Sequence, residues 1–170
     1  MMIKRITSIS NLFIRMIRGM IILRSFKTNR LQVGKRVKLR GVKNIVFGEN
    51  VVIEDDAWVE AILQYQNVKF NPSLVIGNNV VIGKRNIITC IEKIYIGNNC
   101  LFAPSVLITD HYHGNKNSWN TSEIKSKSDL TSFGGIIIEE NVWIGYNSAI
   151  LKNAKIPKNA VIPALTKVTH

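Results

Sequence analysis

Hydrophobic residues recur in this chain every six positions. The period is cleanest toward the C-terminal end, where Ile138, Ile144, Ile150, Ile156, Ile162 and Val168 follow one another without a slip. The same phase returns as Phe47, Ile53 and Val59, as Ile76, Ile82 and Ile88, and as Ile96, Phe102 and Ile108. Such a period matches neither the roughly 3.6 residues of a helical turn nor the unbroken alternation of a long strand. A short strand followed by a turn does match it, with one aliphatic residue pointing inward on each side of a three-sided coil. Each block of three is then one coil, and stacked coils bury an aliphatic column that no single coil could bury. Gly48, Gly77, Gly83, Gly97 and Gly145 directly follow an inward residue, a position expected to be small or able to take a left-handed conformation, and glycine takes positive φ without steric cost. Asn78, Asn79, Asn98, Asn99, Asn141, Asn147, Asn153 and Asn159 supply further turn chemistry.

The pattern is interrupted twice. Extra residues intrude between Val59 and Ile76, and a longer stretch separates Ile108 from Ile138. The second interruption, residues 110–135, carries Gly114, Asn115, Asn117 and Asn120 and a run of Ser, Thr and Lys, so an irregular loop is expected. A loop of that length in a compact domain is usually functional or disordered. This one opens with Asp110-His111-Tyr112-His113, and the remaining histidine of the chain is His170.

These residues carry a family resemblance. The runs Ile76-Gly77-Asn78-Asn79-Val80-Val81-Ile82-Gly83, Ile96-Gly97-Asn98-Asn99-Cys100 and Asn141-Val142-Trp143-Ile144-Gly145 resemble the hexapeptide-repeat acyltransferases, in particular the maltose/galactoside acetyltransferases and the polysaccharide (O-antigen and capsule) O-acetyltransferases. The resemblance covers residues 45–170 and implies an all-β fold, a left-handed parallel β-helix. It also implies a homotrimer with active sites in the clefts between neighbouring prisms and acetyl-CoA as acyl donor. The segment Thr109-Asp110-His111-Tyr112-His113-Gly114 is similar to the catalytic segment of the sugar O-acetyltransferases. Counting without gaps from Ile96-Gly97 and Ala103-Pro104 places His113 on the family's base, the preferred assignment; the histidine that directly follows Thr-Asp would be His111. Asp110 is either the carboxylate that orients the imidazole or a turn former. Trp143 matches a tryptophan that borders the cleft in relatives, with an aromatic on the outer prism face as the plainer alternative. Tyr146 and Ala164 fall where relatives contact the pantetheine arm, and Thr169 and His170 fall near the nucleotide end of CoA. An asparagine that positions substrate in the maltose and galactoside enzymes falls on Gly83. That departure favours a polysaccharide acceptor over a free disaccharide.

The chemistry of histidine suits the assignment. Acyl transfer from a thioester to a hydroxyl needs a base that accepts a proton near neutral pH and returns it to the leaving thiolate. A metal-dependent reaction on the same fold would need three converging histidines, and His111 and His113 are too close in sequence for that; no metal is expected. Cys90 and Cys100 lie in aliphatic runs with no CxxC pair and read as small buried residues.

Charge changes the picture at one end only. The net charge is +12, and twelve Lys or Arg precede the first acidic residue, Glu49; beyond it eleven basic residues face eleven acidic ones. The excess belongs to the first 43 residues, ahead of the repeat as it reads from Phe47, which argues against nucleic acid as the partner. Residues 1–30 are expected to form a basic amphipathic arm and residues 31–170 the β-helix domain. In helical phase Ile6, Ile9, Phe13, Met16, Ile17 and Met20 make an apolar stripe beside a cationic one with Lys4, Arg15 and Arg18. The stripe would pack on the body or a neighbouring subunit, or lie on an anionic membrane surface. Arg15, Arg18 and Arg24 cut the apolar stretch far below the roughly 20 residues a spanning helix needs, and no signal-type cleavage site follows. A cytoplasmic enzyme, peripheral at the inner membrane, is the expectation, with a sugar hydroxyl on a lipid-linked oligosaccharide as acceptor. Acetylation of an amino sugar or antibiotic, or a non-enzymatic β-helix with a basic arm, are the alternatives.

Overall fold

The computed structural model describes residues 13–18, 30–114 and 124–169. The rest of the basic arm, the loop tip at 115–123 and His170 lie outside the described residues, so the readings that fall on them stay expectations.

The repeat folds as a three-sided left-handed β-helix. Three parallel sheets form its faces. The first stacks Gln32–Val33, Val52–Ile53, Val81–Ile82, Leu101–Phe102, Trp143–Ile144 and Val161–Ile162. The second stacks Lys38–Arg40, Trp58–Ala61, Ile87–Cys90, Leu107–Thr109, Ala149–Leu151 and Lys167–Val168, and the third Ile45–Phe47, Ser73–Ile76, Lys93–Ile96, Ile136–Ile138 and Lys155–Ile156. Each block of three from the sequence contributes one inward residue to each sheet: Phe102 pairs with Ile82 and Ile144, and Ile108 with Ile88 and Ile150. These side chains are fully buried. A second inward position lies four residues further on, where Val51, Val80, Cys100, Val142 and Ala154 close the corners of the core.

Asparagines and glycines divide the corners differently from the expectation. The residue with left-handed backbone is the third after the inward aliphatic one, and between the third and first sheets it is always Asn: Asn50, Asn79, Asn99, Asn141 and Asn159, at φ of 55–64°. Their side chains form a ladder, with Asn50 Nδ2 donating to Asn79 Oδ1 and Asn79 Nδ2 to Asn99 Oδ1, both at 3.0 Å. The glycines directly after the inward residue do not adopt positive φ. They are required because coils stack too closely for a side chain: a Cβ on Gly48 would sit 2.5 Å from the Gly77 carbonyl carbon, and one on Gly77 2.8 Å from that of Gly97.

Both interruptions fall at the same edge, between the second and third sheets. Residues 62–72 form a small antiparallel hairpin, Gln64–Tyr65 against Val68–Lys69. The segment expected as an irregular loop is ordered at its root, where His111–His113 pairs antiparallel with Leu130–Ser132.

The described part of the N-terminal helix, residues 13–18, sits beside the first coils. Phe13, Met16 and Ile17 are exposed, while Arg15 and Arg18 line a cavity shared with Lys35 and Asp55. Within one chain these three residues of the expected apolar stripe are therefore turned away from the body. No helix among the described residues is long and apolar enough to cross a membrane.

Candidate active site

The His-rich hairpin is rooted in a buried carboxylate. Asp110 follows the strand Leu107–Thr109 and has no exposed surface. Stacking places it over the corner of the preceding coil, where it accepts the backbone N–H of Ile91 at 3.0 Å, of Glu92 at 2.9 Å and of Lys93 at 3.0 Å. The Cys90 thiol adds a fourth donor at 3.3 Å. Burial alone would raise the carboxyl's pKa, but the hydrogen bonds from His111 and the amides of Ile91 and Glu92 outweigh it and hold the group below its usual range. Burial and the neighbouring carboxylate push the Cys90 thiol far up, so it stays protonated and donates. Both cysteines are free and buried.

The two histidines leave this root in one extended strand but find different surroundings. His111 Nδ1 lies 2.9 Å from Asp110 Oδ1 and 3.3 Å from Thr109 Oγ1, and its side chain is only 10% exposed. His113 is exposed. Its ring packs edge-on against Tyr65 of the 62–72 hairpin, with centroids 5.4 Å apart. Its Nδ1 approaches the Ser128 carbonyl at 3.5 Å, a partner that favours the Nδ1–H tautomer and leaves the lone pair on Nε2. The carboxylate thus serves His111 and binds the amides at the corner of the preceding coil, and the histidine it holds is not the one preferred as base.

Between the histidines, Tyr112 points to the next coil. Its ring stacks on Phe133 at 5.6 Å, and Lys152 donates to its hydroxyl at 3.0 Å while lying 4.2 Å from its ring centroid and 4.7 Å from that of Phe133. Tyr65, Ser128, Phe133 and Lys152 were not singled out from the sequence. The available signal was that both interruptions follow inward residues of the same phase, Val59 and Ile108, and so emerge at one edge.

The residues expected at the CoA arm lie elsewhere on the prism. Trp143 is on the outer face of the first sheet, 49% exposed, in register with exposed Leu101 and Val161. Tyr146, 50% exposed, and exposed Ala164 occupy stacked turns between the first and second sheets, with the Leu165 N–H donating to the Tyr146 carbonyl at 2.9 Å. Thr169 follows the last strand of the second sheet and is exposed. Within one chain this group and the histidines stand at different corners, on either side of the second sheet. Among the described residues no cluster of three His, Cys, Asp or Glu could hold a metal ion.

No family model matches the chain. WbbJ of Escherichia coli (strain K12), named as a lipopolysaccharide biosynthesis O-acetyl transferase, is 28% identical over 159 residues, covering 89% of this chain and 76% of that protein. Among solved structures, AntD, an N-acyltransferase from Bacillus cereus in complex with dTDP and 3-hydroxybutyryl-CoA, superposes with a TM-score of 0.68 at 16% identity, covering 84% of this chain and 71% of AntD. A single-site mutant of AntD with dTDP-4-amino-4,6-dideoxyglucose and coenzyme A gives the same score and identity, with 84% and 72% covered. At that identity the likeness to AntD speaks for the fold, and the sequence relation comes from the repeat and the alignment to WbbJ. In its repeat, its prism and its alignment to WbbJ, this chain is similar to the hexapeptide-repeat acyltransferases.

Proposed function

We propose that this protein is an O-acetyltransferase that moves an acetyl group from acetyl-CoA to a sugar hydroxyl during surface polysaccharide assembly, with His113 as general base. Nε2 of His113 takes the hydroxyl proton as that oxygen attacks the thioester carbonyl. When the tetrahedral intermediate collapses, the C–S bond breaks and the imidazolium returns the proton to the departing thiolate. The observation that carries this assignment is the division of labour between the two imidazoles. His111 is covered and tied to a buried carboxylate, which suits an anchor. His113 is the exposed ring, braced by Tyr65, with the tautomer favoured by Ser128 leaving a lone pair on Nε2. The relative WbbJ, named for lipopolysaccharide biosynthesis, supports a polysaccharide acceptor.

The reading also requires a second copy of the chain. His113 stands at one corner, and Trp143, Tyr146 and Ala164 stand on another face and corner, so a site using both draws on two protomers. A homotrimer would supply that junction and would cover the apolar row of Leu101, Trp143 and Val161 on the first sheet. CoA would then run along the stacked turns at Tyr146 and Ala164. Thiol release from acetyl-CoA, assayed with extracted lipid-linked oligosaccharides, free disaccharides and amino sugars, tests the acceptor class. Turnover on the lipid-linked sugar hydroxyls supports the reading, and turnover confined to amino sugars overturns it.

A further inference from the structure

We infer that the cavity between the N-terminal helix and the first coils is an anion site for a phosphate or pyrophosphate group, separate from the acyl-transfer site. The cavity has a volume of about 280 Å³ and is lined by Ile14, Arg15, Arg18, Lys35 and Asp55. Three cationic side chains thus face one carboxylate. That carboxylate is already engaged, its Oδ1 accepting the Lys35 N–H at 2.8 Å. The strongest sign of a ligand is Arg15. Its Nε and Nη2 are buried and have no hydrogen-bond partner among the described residues, a costly arrangement for a guanidinium.

Those two nitrogens form one edge of the planar fork, the edge that matches a pair of oxygens on a carboxylate or phosphate. Arg36, on the same corner of the prism, uses that edge on Asp56 at 2.6 and 2.7 Å. Arg15 leaves that edge without a partner among the described residues, beside a cavity with a cationic excess. A phosphate oxyanion supplies several acceptors at once, so Arg15, Arg18 and Lys35 can share it. Exposed Phe13, Met16 and Ile17 on the opposite side of the same short helix offer an apolar surface next to the site. The chemistry therefore fits the phosphate of an amphiphile as well as a soluble phosphate. The inference does not depend on the identity of the catalytic base or the acetyl acceptor.

Calorimetric titration of the full chain with inorganic pyrophosphate at low salt tests it. Wild type should bind saturably, Arg15→Gln should bind at least tenfold more weakly, and Asp55→Asn should bind several-fold more tightly, because it removes the one opposing charge yet keeps an acceptor for the Lys35 N–H. A damaged fold would not produce that gain. Absent saturable binding, or equal affinity in wild type and Arg15→Gln, would overturn the inference. A second arm compares co-sedimentation with vesicles of phosphatidylcholine alone and of phosphatidylcholine containing one-fifth phosphatidic acid. Capture by the acidic vesicles that is lost in Arg15→Gln and in Phe13→Ser/Ile17→Ser assigns a lipid phosphate. Pyrophosphate binding without such capture assigns a soluble one.

Discussion

Asp110 Oδ1 receives His111 Nδ1 at 2.9 Å while the same carboxylate gathers three backbone amides from the coil before it. One buried side chain therefore fixes both a corner of the prism and the root of the His111–His113 hairpin. Asp110→Asn retains one acceptor but turns an NH₂ toward amide donors. It should cost about 3 kcal/mol in chemical denaturation, the range for breaking a buried charged network. A loss below about 1 kcal/mol would show that the amides are satisfied in another way.

The same carboxylate sets an acid limit. Its folded pKa is depressed, so its stabilisation is fully present above the unfolded value of about 3.9 and is lost as pH falls through the lower folded value. Wild type should thus lose stability below about pH 4 more steeply than Asp110→Asn. Parallel acid-unfolding curves for the two proteins would contradict the assigned role.

Lys152 holds the hairpin to the following coil through the Tyr112 hydroxyl and the two stacked rings. Removing the charge in Lys152→Met forfeits a hydrogen bond and a cation–π contact, together about 1–2 kcal/mol. Amide exchange at Tyr112 and Thr131 should accelerate about tenfold, and kcat should fall with KM for acetyl-CoA little changed. Unchanged exchange would remove Lys152 from the account.

The corners make a paired prediction about stability. Gly48→Ala forces a methyl group against the Gly77 backbone and should cost about 2 kcal/mol. Leu165 holds φ at 62°, a conformation that Asn takes at the corners between the third and first sheets and at Asn147 one coil earlier, and is 72% exposed. Leu165→Asn should therefore gain about 0.5–1 kcal/mol. Thermal unfolding of both variants measures the two effects, and a stabilised Gly48→Ala would show that the coils stack less tightly than described.

If catalysis needs His113 from one chain and Trp143 from another, inactive His113→Ala and Trp143→Ala chains refolded together should regain about one quarter of the sites of a symmetric trimer. No recovery on mixing would place the whole site within one protomer.

Much of the architecture was readable in the sequence, because the inward residue of each prism side recurs at a fixed interval and nothing else imposes period six. Ile108 and Ile150 could be placed on one sheet by counting alone. The glycines were harder: a small residue after Phe47 or Ile76 is compatible with positive φ or with a close neighbour, and only the stacked coil distinguishes them. The site was legible where chemistry is local, as in Asp110-His111-Tyr112-His113. Adjacency in sequence did not reveal which imidazole the carboxylate holds, since that depends on Asp110 reaching back to the amides of residues 91–93. Tyr65 and Lys152 come from other coils and carried no local signal.

In the proposed reaction His113 does the chemistry and His111 holds the hairpin. Thiol release from acetyl-CoA with extracted lipid-linked oligosaccharides, measured on wild type, His111→Ala and His113→Ala alongside their thermal stability, tests it most directly. His113→Ala should lose about 10²-fold or more in kcat with its melting temperature unchanged, while His111→Ala should lose stability and keep most of its turnover. Full activity in His113→Ala, or a folded and inactive His111→Ala, would contradict it.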